Sequence, residues 1–368
     1  MNREKVFKIW LSSVVGIGYK SYFQLMEFFK KAEEIYRAKE IDIFKATGKK
    51  NLTEKIVEAQ KLNPFEYVER LQKLKVSVYT LEEEEYPSIL REIHNPPVVL
   101  YLKGRLNLKD KFSIAMVGSR KATYYGKQMA QKLSYDLSER GITVVSGLAR
   151  GIDTYSHLGA LKGRGSTIAV LGCGINVVYP TENKKLMEQI GEEGLLVSEY
   201  PLDYPPLSQN FPLRNRIISG LSQGVVVVEA GAKSGALITA QFALEQGREV
   251  FAVPGNVTSA YSAGTNDLIK QGAKIVTQVE DILEEFSFRE DLRMALTENE
   301  ELSLTEDEKV VYEFIKEAPR DVEEISYTLN MKMSKLNSIL TSLMLKGLID
   351  RLPGNKYTKK IFDNYKKL

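Results

Sequence analysis

The sequence predicts a doubly wound α/β fold, in which helices cover both faces of a parallel sheet. From about residue 74, short β-branched runs alternate with segments of helical periodicity. Some runs are almost continuously apolar, as in residues 224–228, which is typical of a strand buried on both faces of a parallel sheet. Helical segments separate most of the runs from Ser113 onward, which indicates right-handed crossover connections.

Nine segments are predicted as strands. They cover residues 76–81, 98–102, 113–117, 142–145, 167–171, 195–198, 225–228, 249–253 and 274–276. Ligands of open parallel sheets bind beyond the carboxyl ends of the strands. The residues that follow these strands are small and polar, with glycines that let a backbone approach a ligand and helix starts that favour an anion. The sequence therefore predicts an anion-binding site along the carboxyl ends of the strands, which we call the rim.

Residues 1–65 are predicted to form a separate all-helical module of the helix-hairpin-helix or SAM type. Apolar residues recur at helical spacing within 5–11, 19–30, 33–39 and 53–62. A glycine turn at residues 14–18 separates the first two helices, as in modules whose backbone amides approach DNA. Such a turn is also common between helices that simply pack together, and this interpretation is favoured over DNA contact, which stays open.

The C-terminal part is predicted to be a winged helix over residues 300–368, after a sheet domain at 66–290 and an acidic linker at about 289–308. Three helices are expected at 306–317, 322–329 and 333–346, followed by a hairpin at 348–357. Seven basic residues and one acid lie between 331 and 360. Contact with DNA and contact with a protein both fit this pattern.

The composition excludes several classes of function. The net charge of the 368 residues is only +3, so any basic site must be local. One cysteine, Cys173, and two histidines argue against disulfides, a zinc site or a histidine-dependent triad. Because the chain has no cleavable apolar leader and no membrane-spanning run, we expect a cytoplasmic protein without membrane, metal or cofactor.

The turn after the third strand, Gly118-Ser119-Arg120, decides which anion is expected. A dinucleotide fingerprint requires a second glycine where Arg120 stands, and the acidic ribose ligand after the next strand is missing. No phosphate-binding loop of the G-x-x-x-x-G-K-[ST] type occurs, and no catalytic set can be assembled from the rim residues. These observations favour binding without catalysis.

A second basic cluster lies in residues 209–220. Arg214 and Asn215 are expected near the start of a helix, whereas Arg216 points elsewhere and could instead pair with a carboxylate. With Arg120, with Lys184 after Asn183, and with Phe211 as an exposed aromatic, the rim is predicted to be a single-strand DNA site. Cations would follow the phosphates and a base would stack on the ring.

Four motifs together resemble the DNA-processing protein A family, also called DprA or Smf. They are V-G-S-R-K-A-T-Y-Y-G at 117–126, S-G-L-A-R-G-I-D-T at 146–154, F-P-L-R-N-R-I-I-S-G-L at 211–221 and the segment S-G-A-L to V-P-G at 234–255. The resemblance extends over essentially the whole chain. It implies an extended Rossmann-like core, a homodimer, single-strand DNA binding and loading of the RecA recombinase during natural transformation, without enzymatic activity.

The resemblance also implies the site residues. The DNA-contacting set is expected to be Gly118, Ser119, Arg120, Gly147, Asn183, Lys184, Phe211, Arg214, Asn215 and Arg216.

Two other functions are considered. A phosphoribohydrolase acting on nucleotides would carry a P-G-G-x-G-T-x-x-E motif, but the corresponding stretch from Glu229 has no glutamate four residues past the glycine turn. A winged-helix regulator would bind duplex DNA through residues 300–368.

Overall fold

The computed structural model describes residues 2–106, 112–286, 304–316, 318–345, 348–352 and 354–359. The chain divides into two compact units, Met1–Arg289 and Glu290–Leu368. Residues 287–303 lie outside the described residues, and they include most of the acidic linker predicted at 289–308. Its last residues belong to the first helix of the second unit.

The sequence predicts four helical segments within residues 1–65, whereas the first unit begins with six helices. They are α1 (Arg3–Ser13), α2 (Tyr19–Phe29), α3 (Ala32–Arg37), α4 (Glu40–Thr47), α5 (Lys50–Ala59) and α6 (Pro64–Lys73). Asn63 caps α6 by accepting a hydrogen bond from the backbone of Phe65 at 3.0 Å, and Pro64 occupies the first turn. The expected domain boundary at residue 65 therefore falls inside a helix.

The helical segment shares its core with the sheet that follows. Buried side chains such as Trp10 and Ile56 belong to the same apolar cluster as Tyr101 and Leu171 of the sheet. The bundle thus covers part of one sheet face, and both parts lie in one compact unit.

All nine predicted strands are present in one sheet. They are β1 (Ser77–Thr80), β2 (Val99–Gly104), β3 (Ser113–Gly118), β4 (Thr143–Ser146), β5 (Thr167–Leu171), β6 (Leu195–Ser198), β7 (Gly224–Glu229), β8 (Glu249–Ala252) and β9 (Lys274–Ile275). Their spatial order is β1-β2-β6-β5-β4-β3-β7-β8-β9. The seven strands from β6 to β9 run parallel, whereas β2 is antiparallel to both of its neighbours.

Helices cover both faces of the sheet, as the apolar strands require. They are α7 (Ser88–Arg91), α8 (Tyr124–Glu139), α9 (Ile152–Ala160), α10 (Lys184–Glu193), α11 (Asn210–Gly220), α12 (Ala236–Glu245), α13 (Ala263–Lys270) and α14 (Glu280–Leu283). All six residues of β7 are buried, which explains its apolar run. The chain reverses its direction of winding between β3 and β7, and such a switch point opens a crevice at the strand ends.

The second unit has the predicted winged-helix order. It contains α15 (Glu306–Lys316), β10 (Arg320–Asp321), α16 (Val322–Thr328), α17 (Met333–Leu345), β11 (Ile349–Leu352) and β12 (Lys356–Lys359). The strands form an antiparallel sheet in the order β10-β12-β11 around buried residues that include Leu336 and Leu340. No helix in the described part of the chain combines the length and apolar composition that crossing a bilayer requires.

Candidate nucleic-acid interface

A cleft of about 710 Å³ opens at the carboxyl ends of β3 and β7. Its walls come from the turn after β3, the start of α11 and the loop between β7 and α12. This is the switch point of the sheet, and it lies at the carboxyl ends of the strands, where the sequence predicts the ligand.

The turn after β3 is fixed by backbone hydrogen bonds. The amide of Ser119 donates to the carbonyl of Glu229 at 2.7 Å, and the amide of Ile152 donates to the carbonyl of Ser119 at 3.2 Å. A Cβ on Gly118 would lie 2.5 Å from Cγ1 of Ile152, so only glycine fits beneath α9. The chain therefore leaves the sheet in one direction and carries the side chain of Arg120 into solvent.

Arg120 lies over an aromatic ring. Its guanidinium carbon is 5.2 Å from the ring centre of Phe211, and the ring centre of Tyr179 lies 5.3 Å from the same point. Phe211 is half-buried and packs so close to Gly172 that a Cβ there would be 2.9 Å away, so this ring is less open than the sequence predicts. Among the described residues, no carboxylate forms an ion pair with Arg120. The cluster presents a cation on an aromatic support.

The start of α8 already holds an anion that belongs to the protein. The buried carboxylate of Glu229 accepts hydrogen bonds from the amide of Thr123 at 2.7 Å and from its hydroxyl at 2.6 Å. A Cβ on Gly126 would lie 2.7 Å from Oε2 of Glu229, so this glycine makes room for the carboxylate. The position where a dinucleotide-binding fold holds pyrophosphate is thus filled by negative charge, which repels a second anion. Sequence reasoning missed this role of Glu229.

Arg214 lies beneath the rim. Its side chain is 3% exposed and donates to the carbonyl of Gly147 at 2.8 Å and to the carbonyl of Val170. A Cβ on Gly147 would lie 2.5 Å from Nη2 of Arg214, so this glycine makes room for the guanidinium. The structure corrects the expected rim position of Arg214, because the side chain holds the ends of two strands together.

A buried carboxyl, Asp153, faces the same guanidinium and accepts a hydrogen bond from the amide of Ala149 at 3.2 Å. Burial raises the pKa of Asp153 to about 6, although Arg214 acts in the opposite direction. Asp153 lies in the first turn of α9, which begins at Ile152, and Gly151 occupies the capping position at φ 74°.

Arg216 pairs with a carboxylate, which agrees with the alternative interpretation of this residue and not with a free rim cation. Its two terminal nitrogens donate to the two carboxylate oxygens of Glu199 at 2.9 and 2.6 Å. Its Nε donates to the carbonyl of Asn95 at 3.0 Å. With both side chains less than a fifth exposed, this is a structural ion pair.

Asn183 and Lys184 are adjacent in sequence but occupy different environments. Asn183 is buried, and its Nδ2 donates to the carbonyl of Leu148 and to the hydroxyl of Thr154, both at 2.9 Å. Lys184 begins α10 with a side chain that is 65% exposed, and its Nζ lies 4.0 Å from Oε1 of Glu188. Asn183 therefore fixes the loop after β4, while Lys184 is available to a ligand.

The cleft contains residues that sequence reasoning did not include in the site. Lys121, Lys233 and Tyr261 are exposed at its wall, and Asn215 lies beside them, with its Nδ2 donating to the carbonyl of Gly235 at 3.4 Å. The glycine turn at 231–235 was visible in the sequence as a strand-end loop. Its position opposite Arg120 depends on the pairing of β3 with β7.

The remaining titratable residues of this region are structural. His157 is fully buried, accepts a hydrogen bond from the amide of Leu148 at 3.3 Å, and has its pKa lowered to about 3 by burial. Cys173 is buried, and its pKa is raised to about 11. In the parts of the chain that the structure describes, no three His, Cys, Asp or Glu side chains come together as metal ligands.

Two family models match the chain. The model described as DNA recombination-mediator protein A covers residues 77–287, and the model of the DprA winged helix domain covers residues 296–355. The chain belongs to the DprA/Smf family. The first match spans the sheet and its cleft, and the second spans the winged helix, so the architecture predicted from the sequence is the one of this family.

Curated relatives agree with this assignment. The chain is 39% identical to protein Smf of Synechocystis over 77% of this chain and 72% of that protein. It is 46% identical to DprA of Bacillus subtilis over 58% of this chain and 72% of that protein. Identity to protein Smf of Escherichia coli is 50%, over 56% of each chain.

Two solved structures of the family are similar to this chain. The DprA structure from Streptococcus pneumoniae has a TM-score of 0.67 and 37% identity, over 78% of this chain and 99% of that one. The second, from Helicobacter pylori, was solved to describe the single-stranded DNA binding mode of that DprA. It has a TM-score of 0.53 and 31% identity, over 58% of this chain and 96% of that one. Family membership therefore places this chain among DNA-processing proteins.

Proposed function

We propose that this chain binds single-stranded DNA in the cleft, largely without sequence preference, and assists the loading of RecA recombinase onto that DNA. We further propose that it does so in the cytoplasm as a homodimer and carries out no chemistry on the strand. The observation that carries this proposal is the exposed guanidinium of Arg120 over the ring of Phe211, without a carboxylate partner among the described residues.

The geometry of the cleft supports a nucleic-acid backbone as the ligand. Arg120, Lys121 and Lys233 are exposed cations along its wall, and Lys184 is exposed at the start of α10. Spaced cations neutralise successive phosphates, and a neighbouring ring stacks with a base whatever its sequence. Such a site binds strongly at low salt and discriminates little among sequences.

The other predicted site residues have supporting roles in this proposal. Gly118 and Ser119 fix the direction of the turn, and Gly147, Asn183 and Arg214 fix the neighbouring loop. Asn215 borders the cleft, and Arg216 joins α11 to the residue after β6. Most polar atoms of these residues already form hydrogen bonds within the protein. We therefore assign them to positioning the groups that bind DNA.

The carboxylates of the region argue for binding over hydrolysis. Asp153 faces Arg214, and Glu229 holds the start of α8, so both are occupied by protein groups. General acid or base catalysis requires a carboxyl group that can reach the substrate. Asp153 lines the cleft, but it and Glu229 are engaged by protein groups, which supports binding over hydrolysis.

The test is a salt titration of binding to a labelled oligothymidine, followed by fluorescence anisotropy. Arg120→Ala and Lys184→Ala should each weaken binding by about tenfold at low salt. Each should also reduce the slope of log affinity against log salt by about 0.7. Lys61→Ala is the matched control, because this exposed lysine pairs with Glu58 at 2.6 Å in the helical segment. Wild-type binding by both variants would refute the proposal.

The RecA step has its own measurement. With the oligonucleotide covered by a single-strand binding protein, wild-type chain should shorten the lag before RecA hydrolyses ATP, and Arg120→Ala should not. A chain lacking residues 300–368 should retain single-strand binding. If that deletion abolished binding and the intact chain preferred duplex DNA, the winged-helix regulator would be the better explanation.

A further inference from the structure

A second pair of a cation and an aromatic ring lies outside the cleft. The ammonium of Lys127 in α8 is 5.5 Å from the ring centre of Tyr155 in α9, close to the 5.2 Å between Arg120 and Phe211. Both Lys127 and Tyr155 are partly exposed. No carboxylate of the described residues forms an ion pair with Lys127. Its positive charge is therefore available to a ligand.

The pair lies one helical turn away from the Gly118–Lys121 turn. Helix α9 begins beside that turn, since the amide of Ile152 donates to the carbonyl of Ser119, and Tyr155 follows three residues later. Lys127 likewise lies three residues into α8. One turn of helix rises about 5.4 Å, so the distance along the surface is short.

An exposed ring lies between the two cations in sequence. Tyr124 is the first residue of α8 and is 76% exposed, and its hydroxyl accepts a hydrogen bond from Nε2 of Gln128 at 2.7 Å. A large ring that packs against little of the protein and is held at its tip is suited to stacking. The order along the chain is thus Arg120, Tyr124 and Lys127, alternating cation, ring and cation.

We propose that Tyr124, Lys127 and Tyr155 form an outer station for single-stranded nucleic acid, which continues the strand from the cleft over the starts of α8 and α9. This inference rests on the proposed function of the cleft. Lys127 neutralises one phosphate, and the exposed ring of Tyr124 stacks with a base. A strand long enough to fill the cleft and reach this station gains contacts that a short strand lacks.

The experiment measures affinity against oligothymidine length, from about 4 to 24 nucleotides, using the full chain. Lys127→Ala and Tyr124→Ala should each weaken binding of long strands about threefold to tenfold and leave the shortest strands unaffected. Lys127→Ala should also lower the salt slope for long strands by about 0.7. Lys132→Ala is the matched control on the same helix, because Lys132 pairs with Asp136 at 2.5 Å.

Two further variants separate binding from helix packing. Lys127→Gln keeps much of the aliphatic stem and should bind long strands as weakly as Lys127→Ala, whereas Lys127→Arg should bind them like the wild type. If Lys127→Gln binds every length like the wild type while Arg120→Ala weakens all lengths, the outer station is refuted and the cleft stands. If Arg120→Ala and Lys184→Ala both bind every length like the wild type, the proposed function itself fails.

Discussion

The turn after β3 and helix α11 both supply arginines to the region of the cleft, and they use them in opposite ways. Arg120 is exposed, its guanidinium lies over an aromatic ring, and no carboxylate of the described residues forms an ion pair with it. In α11, Arg214 is buried and donates to backbone carbonyls, whereas Arg216, two positions later, is partly buried and pairs with the carboxylate of Glu199. A basic residue near a candidate DNA site can therefore bind a ligand or build the site. Burial and hydrogen-bond partners separate the two roles.

The starts of two helices give a parallel contrast. Helix α8 has an internal carboxylate, Glu229, at its first turn, whereas Lys184 leads into α10 with its charge in solvent. The macrodipole favours an anion at either helix start. In α8 this anion is the carboxylate of Glu229, so a phosphate of the ligand must be held by side-chain cations at the rim.

The largest expected effect tests the structural role of Arg216. Arg216→Ala leaves Glu199 poorly exposed and unpaired, so the free energy of unfolding should fall by about 3 kcal/mol or more. Urea unfolding followed by circular dichroism measures this loss. The double variant Arg216→Met with Glu199→Leu should recover most of it. If Arg216→Ala kept full stability but bound DNA weakly, Arg216 would be a DNA-binding residue like Arg120. The assigned difference between the two arginines would then be wrong.

A smaller effect is expected from the buried carboxyl next to Arg214. Because the pKa of Asp153 is raised to about 6, the folded state binds a proton that the unfolded state has released between about pH 4 and pH 6. The stability from this proton is complete below pH 4 and is lost as the pH rises to 6, by on the order of 2 kcal/mol.

Asp153→Asn should therefore gain stability relative to the wild type over that pH range, as urea midpoints at pH 4.5, 5.5 and 7 would show. A constant difference between the two proteins across these pH values would contradict the assigned cause.

The smallest effect refines the binding role of Arg120. Arg120→Lys retains the charge but replaces a planar guanidinium that lies over Phe211 with a compact ammonium. Affinity for oligothymidine should fall only about threefold, and the salt slope should remain that of the wild type. A slope as low as that of Arg120→Ala would mean that the contact depends on guanidinium geometry and not on charge.

The sequence predicted the architecture well, for reasons that are local. Nine apolar or β-branched runs became nine strands, and the helix, helix, helix, hairpin order became a winged helix. Side-chain periodicity and burial decide these elements, and both are visible in the chain. The antiparallel direction of β2 was not predicted, because strand direction depends on long-range pairing with β1 and β6.

The cleft was predicted in part. The location at the carboxyl ends of the strands followed from the glycine-rich strand ends, and the exposure of Arg120 and Lys184 agrees with the expectation. The switch point between β3 and β7 was not predicted, because it depends on strand order. The sequence could not show that Arg214 is buried or that Arg216 meets Glu199, because the partners lie on other strands. Phe211 likewise packs against Tyr179 and Gly172, which only folding brings together.

By itself the sequence determined the elements, their order and the supply of cations to one edge of the sheet. Those properties depend on periodicity, turn residues and the rule that parallel strands end at a common edge. Only the tertiary structure decided which cations face solvent, and that Glu229 occupies the start of α8 through the pairing of Gly118 with Glu229 across β3 and β7. The physical reason is that the role of a charge depends on its burial and on its partners, and both arise from contacts between residues distant in the chain.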